Sequence, residues 1–219
     1  MRYFVFDAYG TLFDVHSAAS RYRDEIGDKW GSLSQLWRSK HLEYSWIHAQ
    51  TGRHVSFWTL AERSLDYAIA ATGGIPDGLR DKLLKAYRTL SAYPEVPDVL
   101  SDLRNAGAKL AILTNGDRDM VDDAVASAGL GGMLDEIITV HEAGIYKPNA
   151  PVYRLACDRF GLRPEEIAFQ SSNRWDIAGA KAFGFTCMWI NRYGLPDEYP
   201  DMPADRVFDD LKPLPLLLD

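Results

Sequence analysis

The sequence predicts an α/β protein, a Rossmann-like parallel sheet with helices on both faces and an inserted all-helical cap. Three observations lead to this expectation. Short apolar runs rich in aromatic and β-branched residues recur along the chain, and such runs are typical of strands buried on both faces. Segments with helical spacing lie between them, as in the βαβ units of a parallel sheet. After the first run, one long stretch has several helical patterns and no convincing strand.

Five apolar runs predict the strands, and the first of them is Tyr3–Phe6. The other four are Leu110–Leu113, Ile137–Val140, Ile167–Phe169 and Phe185–Ile190. The helices predicted between them are Val96–Ala106, Asp117–Ala128, Ala150–Phe160 and Trp175–Phe183. A glycine directly follows each of these helices, which is a common way for a helix to end.

Residues 15–92 interrupt this alternation and are predicted to form the cap. Helical spacing is clearest at Phe57, Leu60, Ala61, Leu65 and Ala68. Breaks between the cap helices are expected at Gly31-Ser32, Gly52 and Gly73–Pro76. We interpret Tyr93–Pro97 as a linker back to the alternating pattern. The predicted division is a catalytic core of residues 1–14 and 93–219 and a helical cap of residues 15–92.

The composition excludes several classes of protein without indicating an activity. The formal net charge is −7, whereas a nucleic-acid-binding domain normally shows a basic patch or stripe. Cys157 and Cys187 are too few for a disulfide framework and lack metal-site spacing. The first apolar run is too short for a signal peptide, and no stretch approaches the ~20 apolar residues of a membrane span. We therefore expect a cytoplasmic protein with no nucleic-acid or membrane partner.

Polar side chains follow four of the predicted strands. The segments that contain them are Asp7–Asp14, Thr114–Asp117, Ile145–Pro148 and Ser171–Asp176. In an open α/β sheet, ligands bind beyond the carboxyl ends of the strands. These segments supply carboxylates, a lysine and several hydroxyl and amide groups at that edge, so they predict an active site there.

The same segments contain FDAYGTLFDV, LTNGD, YKP and SSNRWD, which resemble the four motifs of the haloacid dehalogenase superfamily in order and approximate spacing. The resemblance covers essentially the whole chain and implies that Asp7 is a nucleophile. Most members are magnesium-dependent phosphatases, with a second Asp in place of Tyr9 and a Gly-Asp pair in place of Ser171-Ser172. Magnesium is usually held through one or two carboxylates, so the absence of these Asp side chains disfavours a metal. A magnesium-dependent phosphatase is the alternative, and a non-catalytic binding protein is a third hypothesis.

The motifs are most similar to those of one branch, the L-2-haloacid dehalogenases (type II). The forms FDAYGTLFDV and SSNRWD are typical of that branch, as is WRSKHLEYSW at Trp37–Trp46. The resemblance implies hydrolytic dehalogenation of short-chain (S)-2-haloalkanoic acids to (R)-2-hydroxyalkanoic acids through an ester on Asp7. A halide leaves as a stable anion, so no acid at Tyr9, metal or other cofactor is expected. The implied partners are a small 2-haloacid, water and a second copy of the chain in a homodimer.

The resemblance also implies roles for single side chains. It implies that Arg38 and Asn115 receive the halide and that Lys147 keeps Asp7 ionised. It also implies that Asp176 activates water with help from Asn173 and Lys147. The catalytic set is Asp7, Thr11, Arg38, Asn115, Lys147, Tyr153, Ser171, Asn173 and Asp176. The substrate-binding set is Tyr9, Arg38, Leu42, Phe57, Thr114, Asn115 and Trp175.

Several of these residues also have ordinary structural explanations. Taken alone, Arg38 is typical of a solvated helix face, and Lys147 is typical of an exposed loop. Asn115-Gly116 is a common turn sequence, and Ser171–Asn173 suits the N-cap of a helix. Asp176 is explained equally well by an ion pair with Lys147. The histidines show no metal-ligand spacing, so we expect them on the surface or in packing roles.

Overall fold

The computed structural model describes residues 1–218, and its centre is a six-stranded sheet in which all neighbouring strands are parallel. The strands are β1 (Tyr3–Phe6), β2 (Lys109–Thr114), β3 (Glu136–Thr139), β4 (Ile167–Ser171), β5 (Thr186–Ile190) and β6 (Arg206–Phe208). Their order across the sheet is β3-β2-β1-β4-β5-β6. The predicted α/β class with a parallel sheet is confirmed.

Strand β1 lies in the middle of the sheet, and this position explains where a site forms. Phe6 pairs with Ile112 of β2 on one side and with Gln170 of β4 on the other. Phe4 and Val5 are completely buried, as expected for a central parallel strand. The strand order changes direction between β1 and β4, and the crevice beyond such a switch point is where open α/β sheets bind ligands.

The five predicted strands are confirmed, with bounds that shift by one or two residues. Val140 and Phe185 were predicted within strands and lie just outside them. Strand β6 was not predicted. It has only three residues, it lies at the edge of the sheet, and Val207 at its centre is exposed. A short strand that buries little apolar surface leaves no apolar run in the sequence.

Nine α-helices occur within residues 1–218. They are α1 (Ser17–Ser20), α2 (Arg23–Ile26), α3 (Trp30–Gln50), α4 (Phe57–Ala71), α5 (Leu79–Arg88), α6 (Val96–Asn105), α7 (Arg118–Ser127), α8 (Ala150–Phe160) and α9 (Arg174–Phe183). The helices predicted after residue 92 are confirmed to within one residue at each end. No helix within residues 1–218 has both the length and the apolar character needed to cross a bilayer.

One expected break and the end of the expected linker were wrong. Helix α3 runs through Gly31-Ser32, because the first turn of a helix has no N–H partners within the helix and tolerates residues of low propensity. Buried Leu33 and Trp37 then continue one face of α3. The expected linker Tyr93–Pro97 was wrong in its second half, since α6 begins at Val96. Proline is favoured in a first turn, where its missing N–H costs nothing.

Helices α4 and α5 are tied to the sheet-forming part of the chain by contacts with three aspartates in and just before α7. Arg88 at the end of α5 bonds to Asp119 at 2.7 Å and to Asp123 at 2.6 Å, both on α7. The Asp117 carboxylate accepts from the Trp58 N–H at 2.8 Å and from the Phe57 N–H at 3.2 Å. A carboxylate is favourable at a helix N-terminus, so Asp117 fixes the start of α4 above the sheet edge.

Candidate active site

Asp7 lies directly after β1 at the carboxyl edge of the sheet. Its N–H donates to the Gln170 carbonyl at 2.9 Å, which extends the pairing with β4 by one residue. Gly10 then turns the chain with a φ of +95°, a conformation that other residues rarely adopt. Only 5% of Asp7 is exposed, so its carboxylate depends on donors from the protein.

The two oxygens of Asp7 have different surroundings. Oδ2 accepts from Asn173 Nδ2 at 2.8 Å and from Thr11 Oγ1 at 3.1 Å, with Ser171 Oγ at 3.5 Å. Oδ1 accepts from Lys147 Nζ at 3.2 Å. Because Oδ2 is surrounded by donors and Oδ1 has one, Oδ1 keeps the lone pairs that are free to react.

Lys147 links Asp7 to a second carboxylate. Its Nζ donates to Asp176 Oδ2 at 2.8 Å, and its side chain has no exposed surface, which rules out an exposed loop lysine. Burial alone would lower the pKa of Lys147, but the charges of Asp176 and Asp7 outweigh burial and raise it. Asn115 Oδ1 accepts from the Lys147 N–H at 2.9 Å and holds this segment in place.

Asp176 is completely buried in the first turn of α9. Burial raises the pKa of Asp176 to about 6, while the positive charge of Lys147 opposes the rise. The Tyr153 hydroxyl donates to Asp176 Oδ1 at 2.7 Å. The ion pair with Lys147, which was the structural explanation for Asp176, is therefore present. A buried carboxylate that titrates near neutral pH is also suited to accept a proton from water.

The donors at this edge do not fit a magnesium ion. The Lys147 ammonium lies between the Asp7 and Asp176 carboxylates, where a bridging cation would need to be. Ser171 and Ser172 supply no further carboxylate, and magnesium prefers a nearly octahedral shell of oxygen ligands. Within residues 1–218, no group of three or more His, Cys, Asp or Glu side chains is arranged to hold a metal.

Arg38 of α3 reaches the site from the helical side. Its Nη2 donates to the Tyr9 carbonyl at 3.1 Å and to Asn173 Oδ1 at 3.2 Å, whereas its Nη1 is buried without a partner. Arg38 is therefore not a solvated surface residue. Asn173 is the N-cap residue of α9, but its side chain bonds to Asp7 and Tyr9 instead of capping the helix.

A small cavity adjoins Asp7. Its volume is about 10 Å³, and its lining is Asp7, Tyr9, Arg38, Leu42, Phe57, Thr114, Asn115 and Trp175. The structure thus brings all seven predicted substrate-binding residues together with the predicted nucleophile. A second cavity of about 530 Å³ shares Arg38, Leu42 and Trp175 with the first. Arg38, Leu42 and Trp175 therefore border both cavities, whereas Asp7 lines only the smaller one.

Tyr9 forms an apolar wall of the small cavity. Its ring is parallel to that of Tyr87, with centroids 5.8 Å apart, and lies 5.9 Å from Phe57. A Cβ atom at Gly116 would lie 2.6 Å from the Tyr9 ring, so only glycine leaves room for it. Burial raises the pKa of Tyr9 well above its usual range, and the phenol therefore stays neutral.

Sequence reasoning missed a group of residues that support the site from farther away. Arg192 Nη2 donates to the Thr11 carbonyl at 2.8 Å. Arg192 Nη1 lies 2.6 Å from Glu95 Oε1, and both side chains are only 8% exposed. Asp117, which bonds to the first N–H groups of α4, and His41 of α3, which bonds to the Phe57 carbonyl, were missed in the same way. Their partners are distant in the chain, and no local spacing signals such contacts.

These features define the class of protein. The sequence model of the haloacid dehalogenase-like hydrolases matches residues 1–184, and the chain belongs to that family. (S)-2-haloacid dehalogenase 1 of Pseudomonas sp. strain CBS-3 is 45% identical over 98% of this chain and 95% of its own length. Within the family, the chain is therefore grouped with the (S)-2-haloacid dehalogenases.

Two solved structures support this grouping. A crystal structure of a dehalogenase with an intermediate complex has a TM-score of 0.97 and 42% identity, and the match covers 100% of this chain and 97% of that one. The L-2-haloacid dehalogenase from Xanthobacter autotrophicus with chloropropionic acid covalently bound has a TM-score of 0.88 and 34% identity, covering 99% and 98% of the two chains.

Proposed function

We propose that this protein hydrolyses short-chain (S)-2-haloalkanoic acids to (R)-2-hydroxyalkanoic acids through an ester on Asp7, without a metal. The observation that carries the proposal is the buried array of Asp7, Lys147 and Asp176. The Lys147 ammonium, a fixed cation, lies 3.2 Å from Oδ1 of the proposed nucleophile Asp7 and 2.8 Å from Oδ2 of the proposed base Asp176. The name of the Pseudomonas relative and the covalently bound chloropropionic acid of the Xanthobacter relative support the same chemistry.

In the first step, Asp7 Oδ1 attacks carbon 2 of the haloacid from the side opposite the halogen. The new carbon–oxygen bond forms as the carbon–halogen bond breaks, and the bonding electron pair leaves with the halide. Arg38 and Asn115 both line the small cavity, and Arg38 Nη1 is buried without a partner. Arg38 Nη1 and the Asn115 amide donate to the developing halide. Donors that are already in place where charge develops commonly contribute about 10²–10³ in rate.

In the second step, water attacks the ester at the Asp7 carboxyl carbon. Asp176 takes a proton from that water and later returns it to the departing alkoxide of the product. Lys147 and Asn173 donate to the carboxyl oxygens and stabilise the negative charge of the tetrahedral intermediate. The bond at carbon 2 does not change in this step, so the inversion from the first step is retained.

The division of labour between the two parts of the chain is part of the proposal. In this division, residues 1–14 and 93–219 are the core that carries the nucleophile and the base; residue 219 lies outside the part of the chain that the structure describes. Residues 15–92 form a cap that supplies Arg38, Leu42 and Phe57 to the cavity. We also propose that the protein acts in the cytoplasm as a homodimer, and sedimentation velocity tests the second of these points.

The experiment that tests the proposal is halide release from chloroacetate and (S)-2-chloropropionate in the presence of EDTA. Asp7→Asn removes the nucleophile and should abolish release. Asp14→Asn is the matched control, because the Asp14 carboxylate accepts from the His16 N–H at 2.9 Å and Asp14 does not line the small cavity. No release by the folded wild-type protein would refute the proposal. Hydrolysis of phosphate esters that requires Mg²⁺ would support the alternative, a phosphatase.

A further inference from the structure

His41 lies on α3 one turn after Arg38 and has no exposed surface. Its Nε2 is 3.0 Å from the carbonyl oxygen of Phe57. Its ring stacks on the Phe57 ring, with centroids 3.8 Å apart and planes inclined by 29°. Its Nδ1 is 3.4 Å from the hydroxyl of Tyr87. Both ring nitrogens therefore have partners, although none of these residues belongs to the same helix as His41.

The partners determine which nitrogen carries the proton. A carbonyl oxygen only accepts, so Nε2 carries the hydrogen and donates to Phe57. Nδ1 is then the acceptor, and the Tyr87 hydroxyl donates to it. Burial and the nearby charge of Arg38 lower the pKa of His41 to about 3, so the imidazole stays neutral. The result is a fixed chain of donors that runs from Tyr87 through His41 to Phe57.

This series of hydrogen bonds supports two residues that line the small cavity, Phe57 and Tyr9. The Phe57 N–H is held by Asp117 Oδ1 at 3.2 Å and its carbonyl by His41, so both polar groups of one wall residue are fixed. The Tyr87 ring lies parallel to Tyr9, another wall residue, at 5.8 Å. His41 itself does not line the cavity. It contacts the residues that do.

We propose that His41 is a positioning residue that fixes Phe57 against the small cavity and thereby limits the size of the substituent at carbon 2 of the substrate. This inference rests on the proposed haloacid substrate. Loss of His41 frees the Phe57 ring to move outward. The cavity then fits larger acids relatively better and holds the smallest acid less tightly, without a change in the reacting carboxylates.

The test compares kcat and KM for chloroacetate and (S)-2-chlorobutyrate. A fit that differs by a methylene group is commonly worth about tenfold or more in specificity. In His41→Leu, kcat/KM for chloroacetate should fall about tenfold, mainly through KM, and the chlorobutyrate-to-chloroacetate ratio should rise about tenfold. His41→Gln keeps a donor and an acceptor, so it should restore both kcat/KM for chloroacetate and the chlorobutyrate-to-chloroacetate ratio. Ser64→Ala is the matched control, since it removes a buried hydrogen bond to the Ala61 carbonyl on the same helix as Phe57.

The inference would be overturned if the chlorobutyrate-to-chloroacetate ratio of kcat/KM in His41→Leu were within about twofold of the ratio in the Ser64→Ala control. That result would mean that His41 only stabilises the fold. If His41→Leu does not fold, Tyr87→Phe is tested instead, because it removes the hydroxyl that donates to His41 Nδ1. It should raise the same ratio by about threefold, the effect of one neutral hydrogen bond. An unchanged ratio in Tyr87→Phe overturns the inference too.

Crystal structures of His41→Leu and Ser64→Ala provide a measurement that does not depend on turnover. A Phe57 ring displaced in the first variant alone supports the inference, and an unmoved ring in both contradicts it. A wild-type protein that releases no halide counts against the proposed function, whereas the position of Phe57 still decides the role of His41.

Discussion

Replacing Tyr153 by Phe separates the two proposed chemical steps. The substitution removes only the hydroxyl that donates to Asp176 Oδ1 at 2.7 Å and keeps the buried ring. A hydrogen bond to a charged group is worth about 1.5–3 kcal/mol. Since one pKa unit corresponds to about 1.36 kcal/mol, the pKa of Asp176 should rise by about one to two units in the variant.

The sign of the effect on rate follows from the role of Asp176. Water is activated only by the carboxylate form, so hydrolysis of the ester is lost as the pH falls through the pKa of Asp176. With the wild-type value of about 6, about 90% of Asp176 is charged at pH 7. A pKa of about 7 to 8 lowers that fraction to between about 50% and 10%. Ester hydrolysis at pH 7 should therefore slow by about two- to tenfold, and the ester should accumulate.

The assay is a rapid-quench experiment that measures the halide burst and ester hydrolysis separately as a function of pH. The burst reports attack by Asp7 and should be nearly unchanged in Tyr153→Phe, whereas the acid limb of hydrolysis should move to higher pH. Tyr146→Phe is the matched control, because it removes a buried tyrosine hydroxyl that donates to the Val55 carbonyl instead. An acid limb near pH 6 in Tyr153→Phe, or an equal loss in both steps, would refute the role assigned to Asp176.

Two further substitutions test other parts of the site. Arg38→Met removes the buried Nη1 donor and should slow the halide burst by about 10²–10³, as measured by stopped-flow halide detection; a normal burst would contradict its role. Gly116→Ala places a Cβ 2.6 Å from the Tyr9 ring and should reduce the free energy of unfolding by about 1–3 kcal/mol. Thermal or urea unfolding measures this loss, with Gly131→Ala as the control, since a Cβ at Gly131 has no neighbour within 4 Å. Equal free energies of unfolding for Gly116→Ala and Gly131→Ala would contradict the prediction, because the Tyr9 ring would then have shifted without cost.

Much of the fold was predictable because apolar runs mark central strands of a parallel sheet. The carboxyl ends of such strands lie at one edge, so the positions of Asp7, Asn115 and Asp176 near one another follow from the strand assignments alone. The edge strand β6 and the start of α3 were not predictable in this way. Neither is marked by the burial of an apolar run, which is the signal that revealed the other elements.

The contacts between particular atoms in the site could not be predicted from local pattern. Lys147 bonds to Asp7, 140 positions away, and to Asp176, 29 positions away, and only the folded chain shows that its ammonium lies between the two carboxylates. The same holds for His41 and Asp117, which fix Phe57 from two sides. A buried histidine without metal-ligand spacing resembles any packed core residue until its partners are known.

The most direct test of the proposed mechanism is a single turnover in H₂¹⁸O with enzyme in excess over (S)-2-chloropropionate. If water attacks the carboxyl carbon of the Asp7 ester, mass spectrometry of the Asp7 peptide should show one ¹⁸O atom. The (R)-lactate formed should carry unlabelled oxygen from Asp7. Label in the lactate hydroxyl after the first turnover, with none in Asp7, would contradict the account, because water would then have displaced the halide directly.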